Sequence, residues 1–238
     1  MSHLDMSTGQ VVANAAENER ANFIKRTYVH LAGAIAAFAV IETLLIQSNV
    51  ASSFVGMLAG SRWSWLLVLG AFMLVSTVAN NWAHSSISRE KQYMGLGLFV
   101  IAEAIIFMPL IYMALVRDSS GTLLQNAAIV TGALVAGLTF TAFSTKINFS
   151  FMGRFLMIGG FIAMGLILAS ILFGFNLGLW FSGAMILFAA GSVLYSTSNI
   201  IHEYHTEQYV AASLSLFSSV GLLFWYILQF MMSMAGED

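Results

Sequence analysis

Two carboxylates, Glu103 and Glu42, sit inside long apolar runs of the chain. Glu103 is near the middle of Tyr93–Val116, and Glu42 is toward the end of Val29–Ile46. An ionised acid at the centre of a bilayer is costly, so such residues face the interior of a helix bundle. Apolar surroundings also favour the neutral acid over its anion. Glu103 is therefore the first functional candidate, as a group that contacts a cation or responds to pH. The competing reading is a protonated or hydrogen-bonded packing residue. Glu42 is a secondary candidate, expected at the membrane interface.

A second set of candidates is uncharged. Ser192 and Ser196 are four residues apart, and Ala211, Ser215 and Ser219 repeat that spacing. On a helix, residues four apart fall on one face. Each stripe has two readings: close packing between helices, or a polar seam lining a water- or ion-accessible cavity. His202 and His205, with Glu203 and Glu207, are secondary candidates for a weak metal or proton site. A zinc protease needs His-Glu-x-x-His, and here the second histidine comes one residue early. A solvated loop is the favoured reading of that segment.

Other chemistry is excluded or unsupported. The chain has no cysteine, which removes disulfides, thiolate metal sites, iron–sulfur clusters and thiol nucleophiles. There is no Gly-x-Ser-x-Gly elbow, Walker loop or dinucleotide fingerprint. No aspartate falls in an apolar run, so an aspartyl intramembrane protease is unsupported. The expectation is a protein that is not an enzyme, needs no cofactor and holds no resident metal. A net charge of -2 argues against nucleic acid as a partner.

The elements that carry these residues are membrane spans. Of 238 residues 59% are hydrophobic and 8% charged, with mean hydropathy +0.84. Soluble domains carry about 25% charged residues. A spanning helix needs roughly 20 mostly apolar residues. Seven runs qualify: Val29–Ile46, Trp63–Ala79, Tyr93–Val116, Asn126–Phe143, Phe151–Phe173, Leu177–Ile201 and Tyr209–Met234. They are continuously apolar rather than alternating, which excludes a transmembrane β-barrel. A bilayer forces backbone hydrogen bonds to close within a segment, so the runs are helices. The prediction is an all-α integral membrane protein with the lipid bilayer as its first partner. Residues 1–28 are read as a flexible cytoplasmic tail with a short helix near Ala13–Arg26. Residues 29–238 are read as the transmembrane domain.

Helix packing in lipid relies on small residues. Candidates are Gly132 and Gly137 in the fourth run and Gly153, Gly159, Gly160 and Gly165 in the fifth. Pro109 is expected to kink the third helix, opening a cavity or shaping its packing. Short loops rich in Lys and Arg stay in the cytoplasm. With the N-terminus inside, Arg20, Lys25, Arg26, Arg89, Lys91, Lys146 and Arg154 are inside, while Arg62 and Arg117 are outside. Seven crossings then put the C-terminal Glu237-Asp238 outside.

Several stretches resemble one family. They are Phe23-Ile24-Lys25-Arg26-Thr27-Tyr28, Gln92-Tyr93-Met94-Gly95-Leu96-Gly97 followed by Glu103, and Thr139-Phe140-Thr141-Ala142-Phe143-Ser144. Phe149-Ser150-Phe151-Met152-Gly153, then Leu194-Tyr195, Thr206-Glu207 and Leu214-Ser215-Leu216-Phe217, complete the set. In order and spacing they resemble the Bax inhibitor-1 family, and most its bacterial branch, over about residues 23–232. The resemblance implies a seven-helix bundle whose last helix is surrounded by the other six. It implies a pH-sensitive calcium leak in some members and suppression of cell death in eukaryotes. Some bacterial relatives modulate a membrane-anchored ATP-dependent protease. It further implies a bacterial inner-membrane location. Members with calcium-leak activity carry an aspartate pair, which maps onto Ser196 and near Ser219. Two serines cannot share a proton as two carboxylates do, so that gating is not expected here. Two functions follow: a cation leak, calcium included, with Glu103 as contact or sensor, or a regulator acting on such a protease.

Overall fold

The computed structural model of the chain describes residues 10–48, 50–85, 88–145 and 147–235. Asp5 of the expected tail, Lys146, and Glu237 and Asp238 lie outside the described residues. Among the described residues eight α-helices follow in order: α1 (Glu17–Gln47), α2 (Val50–Gly60), α3 (Arg62–Ala83), α4 (Arg89–Arg117), α5 (Thr122–Ser144), α6 (Met152–Phe173), α7 (Gly178–His202) and α8 (Tyr209–Met234). The described chain is 88% helix without strands. All but α2 are long and apolar enough to cross a membrane, which gives the seven expected spans. At 1.5 Å per residue the 11 residues of α2 cover about 16 Å, roughly half a bilayer core. It adds no crossing. Its Ala51 and Leu58 are buried against the neighbouring helices.

Local signals set the helix ends. The Ser61 side chain accepts a hydrogen bond from Trp63 N at 3.2 Å and caps α3. Ser88 does the same for α4 through Lys91 N. Glu17 and Glu19 stand in the first turn of α1, where the helix dipole favours negative charge. Helix α4 runs unbroken through Pro109.

The segment expected as a tail is, from Gln10 onward, built onto the bundle. Val11 and His205 form an antiparallel bridge. Val12 N donates to Tyr204 O at 2.9 Å, and Thr206 N donates to Gln10 O at 3.1 Å. Val12 is fully buried. Residues 17–28 are the opening turns of α1 rather than a separate short helix. The charged residues there interrupt the apolar run without interrupting the helix, which continues beyond the hydrophobic stretch.

Two helices form the interior. In α4 and α8, 61% of the most apolar stretch is buried, while no other span exceeds 22%. Helix α8 packs against α1, α3, α4, α5 and α7. Its Tyr226 also shares a buried cluster with Ala163 of α6 and Met185 of α7. The last helix is therefore central, as the resemblance implied, and α4 shares that position.

Candidate functional site

The serine stripes of α7 and α8 face each other. Ser196 and Ser219 are buried with their Oγ atoms 2.8 Å apart. Ser215 Oγ donates to Ser196 Oγ at 3.4 Å, and Ser219 Oγ donates to Ser215 O at 3.1 Å. Tyr204, in the loop before α8, reaches the Ser215 side chain. Burial pushes its phenol above the ordinary value, and the Ser215 contact offsets part of that rise. Ser192 lies one turn earlier on α7, half-buried and outside this hydrogen-bonded group. These hydroxyls satisfy one another and join two helices.

The two acids are elsewhere, on another face of α8. Glu103 and Glu42 line one cavity of about 570 Å³ enclosed by α1, α4, α5 and α8. Glu103 is 6% exposed. Its Oε2 lies 3.8 Å from where a Cβ at Gly221 of α8 would stand, so that glycine leaves room for the carboxyl. Glu42, expected at the interface, is 5% exposed, and neither of its carboxyl oxygens has a hydrogen-bond partner. Helix α1 runs on to Gln47, and α4 and α8 lie against its inner face. The remaining lining is nearly all aliphatic and aromatic, with no Lys, Arg or His. Glu103 thus shares a cavity with Glu42, not with the serines.

A family model described as "Inhibitor of apoptosis-promoting Bax1" matches residues 20–236. The chain belongs to the Bax inhibitor-1 family. It is 27% identical to Bax inhibitor 1 of Schizosaccharomyces pombe, over 95% of this chain and 82% of that protein. It is 28% identical to protein LIFEGUARD 4 of Arabidopsis thaliana, over 88% of this chain and 83% of that one. An uncharacterized protein of Pseudomonas aeruginosa is 31% identical over 55% of this chain, and that match spans 59% of the relative's own length. No solved structure matches the chain significantly.

In this Bax inhibitor-1 family member, the two positions to which the resemblance assigned an acid pair are in hydrogen-bond contact, as serines. Neither titrates, so the pair holds helices together without sensing protons.

The loop between α7 and α8 offers no metal centre. His202 Nδ1 lies 2.9 Å from Ser198 O, and His205 Nδ1 lies 3.3 Å from Gln208 Oε1. Glu203 accepts from Ser150 Oγ at 3.1 Å, and Glu207 pairs with Arg89. Each side chain is turned to a different partner, and no cluster of three potential ligands forms among the described residues.

One cluster escaped the sequence reading. Tyr209, at the start of α8, carries the Arg26 guanidinium 5.4 Å and the Arg89 guanidinium 4.7 Å from its ring centre. Its hydroxyl lies 3.3 Å from Tyr93 Oη, which is 3.1 Å from His30 Nε2. These residues come from three separate helices. Arg89, Tyr93 and Tyr209 stand in the opening turns of α4 and α8, but Arg26 and His30 lie well inside α1, so nothing in the spacing announced the meeting.

Proposed function

We propose that this Bax inhibitor-1 family protein is a cation leak of a bacterial inner membrane, with calcium among the ions it passes. The observation that carries the reading is the cavity inside the bundle whose two acids, Glu42 and Glu103, face no basic residue among its lining. Buried carboxyls without counter-charges attract cations, and acids within membrane spans are rare and mark ion pathways and proton relays. Calcium comes from the family resemblance. The serines at 196 and 219 argue that proton control, where present, acts through the cavity acids. The placing of the N-terminus in the cytoplasm rests on seven of the nine basic residues falling on that side.

The test is flux into dye-loaded liposomes between about pH 5 and about pH 8, comparing the native protein with Glu103→Gln and Glu42→Gln. Calcium entry that either substitution abolishes or makes insensitive to pH is the expected result. Folded protein that passes no more calcium than protein-free liposomes overturns the leak. A second reading is a regulator of a membrane-bound ATP-dependent protease. Residues 10–12 pair with the α7–α8 loop, which brings the N-terminal segment to the face where a cytoplasmic partner would dock. Co-purification of such a protease that requires residues 1–28 would favour it.

A further inference from the structure

The cavity has a side entrance. Near the end of α5, Phe143 and Tyr28 of α1 close the gap between the two helices, with rings 6.3 Å apart. Farther along, Ile35, Ala39 and Thr43 of α1 and Ala128 and Gly132 of α5 line the cavity while exposed at the protein surface. Both helices are membrane spans, so this mouth faces lipid. Lining residues run from Leu31 to Gln47 along α1, about 24 Å at the helical rise. The volume is that of a small-molecule site.

We infer that this cavity binds a protonated amphipathic amine, an ammonium head on an apolar body, that enters sideways from the lipid between α1 and α5. The walls supply the apolar part. Phe38 and Phe107 meet edge to face with centres 5.3 Å apart, and Phe107 stacks on Phe224 at 6.0 Å. Such rings bury aliphatic surface and present faces that attract an ammonium. The acids supply the charge. Glu42 keeps two buried oxygens without partners, the most costly unmet acceptors in the cavity. Apolar surroundings favour the neutral form of a carboxyl, and a cation beside it favours the anion. An amine arriving uncharged takes the acid's proton, and one arriving protonated displaces it toward water. Either route ends in the same ammonium–carboxylate pair.

A metal ion would not rest here. Calcium asks for six to eight oxygen ligands at about 2.3–2.6 Å, and two acids among hydrocarbon walls fall short. A hydrated ion in transit needs only weak contacts. The amine site therefore rests on the shape and lining of the cavity and would stand if no ion flux were found.

The experiment uses the full chain in lipid nanodiscs and a dansyl-labelled alkylamine, with the matched alkyl alcohol as the neutral control and protein-free nanodiscs as the partitioning control. Saturable binding of the amine at least about tenfold tighter than the alcohol is expected. Glu42→Gln with Glu103→Gln should bring the two probes to within about twofold. Each single substitution gives the same readout should the double variant fold poorly. Gly132→Leu, at a position with open space beyond the backbone, should obstruct the mouth and weaken amine binding with both acids intact. Equal affinity for amine and alcohol in the native protein overturns the inference. So does an amine preference that survives loss of both acids, or one indifferent to Gly132→Leu.

Discussion

The Ser196–Ser219 contact joins α7 to α8 through two small hydroxyls. Each is buried; Ser219 Oγ also donates to Ser215 O and Ser196 Oγ also accepts from Ser215 Oγ, so losing one serine takes only part of the other's bonding. A buried hydrogen bond contributes about 1 kcal/mol net, and those between membrane helices average about 0.6 kcal/mol in double-mutant cycles. Ser196→Ala and Ser219→Ala should therefore each destabilise the bundle modestly. The double variant should cost less than the sum, with a coupling of about 0.5–1 kcal/mol by reversible unfolding in mixed micelles. Additive losses would mean that the hydroxyls do not depend on each other. This pairing was legible in the sequence, because four-residue spacing fixes which side chains share a face, and the resemblance supplied the partner. That Glu42 and Glu103 share a cavity was not legible. Spacing within α1 and α4 says nothing about which helices stand together around a cavity.

Close approach between helices decides which glycines matter. A Cβ at Gly95 would lie 2.5 Å from both Ala79 O and Ala83 N, which are backbone atoms of α3 that no rotamer change can move. Ala79 and Ala83 are themselves buried, so α3 and α4 cross backbone to backbone there. Gly95→Ala must push the helices apart, at a cost at or above the usual overpacking range of about 1–3 kcal/mol. Gly165→Ala on α6, where nothing lies within 4 Å, should cost little and gain some helix propensity. Melting of the two variants in detergent checks the contrast, and similar melting would remove the tight crossing from the account. Sequence reading gave weight to the glycines of α5 and α6. Gly153 and Gly159 do pack on Tyr195 and Phe188, but Gly132, Gly137 and Gly165 meet open space. A glycine reports that close approach is permitted, and only the neighbouring helix makes it necessary.

On the scale of the whole molecule, bilayer thickness made the number of spans readable, since each run had to be long enough to cross and apolar throughout. What bilayer thickness does not govern was hidden, and the clearest case is the join between the start of the chain and the α7–α8 loop. That join has one bridge, two backbone hydrogen bonds and one buried valine, too short to leave a strand pattern. It nonetheless closes the central helix to the first one, because the loop it holds leads directly into α8. Deleting residues 1–14 removes the Gln10 acceptor from the Thr206 amide and takes Val12 out of the core. Amides of the 203–208 segment should then exchange at least about tenfold faster, a loss of about 1.4 kcal/mol of local protection, in line with burial of one aliphatic side chain. Exchange within α8 should not change, because Tyr209 still carries Arg26 and Arg89 on its ring and the helix remains surrounded. Exchange that speeds up along α8 as well would mean that the N-terminal segment sets the position of the central helix. Unaltered exchange at 203–208 would mean that Arg89 and Glu207 hold the loop without it.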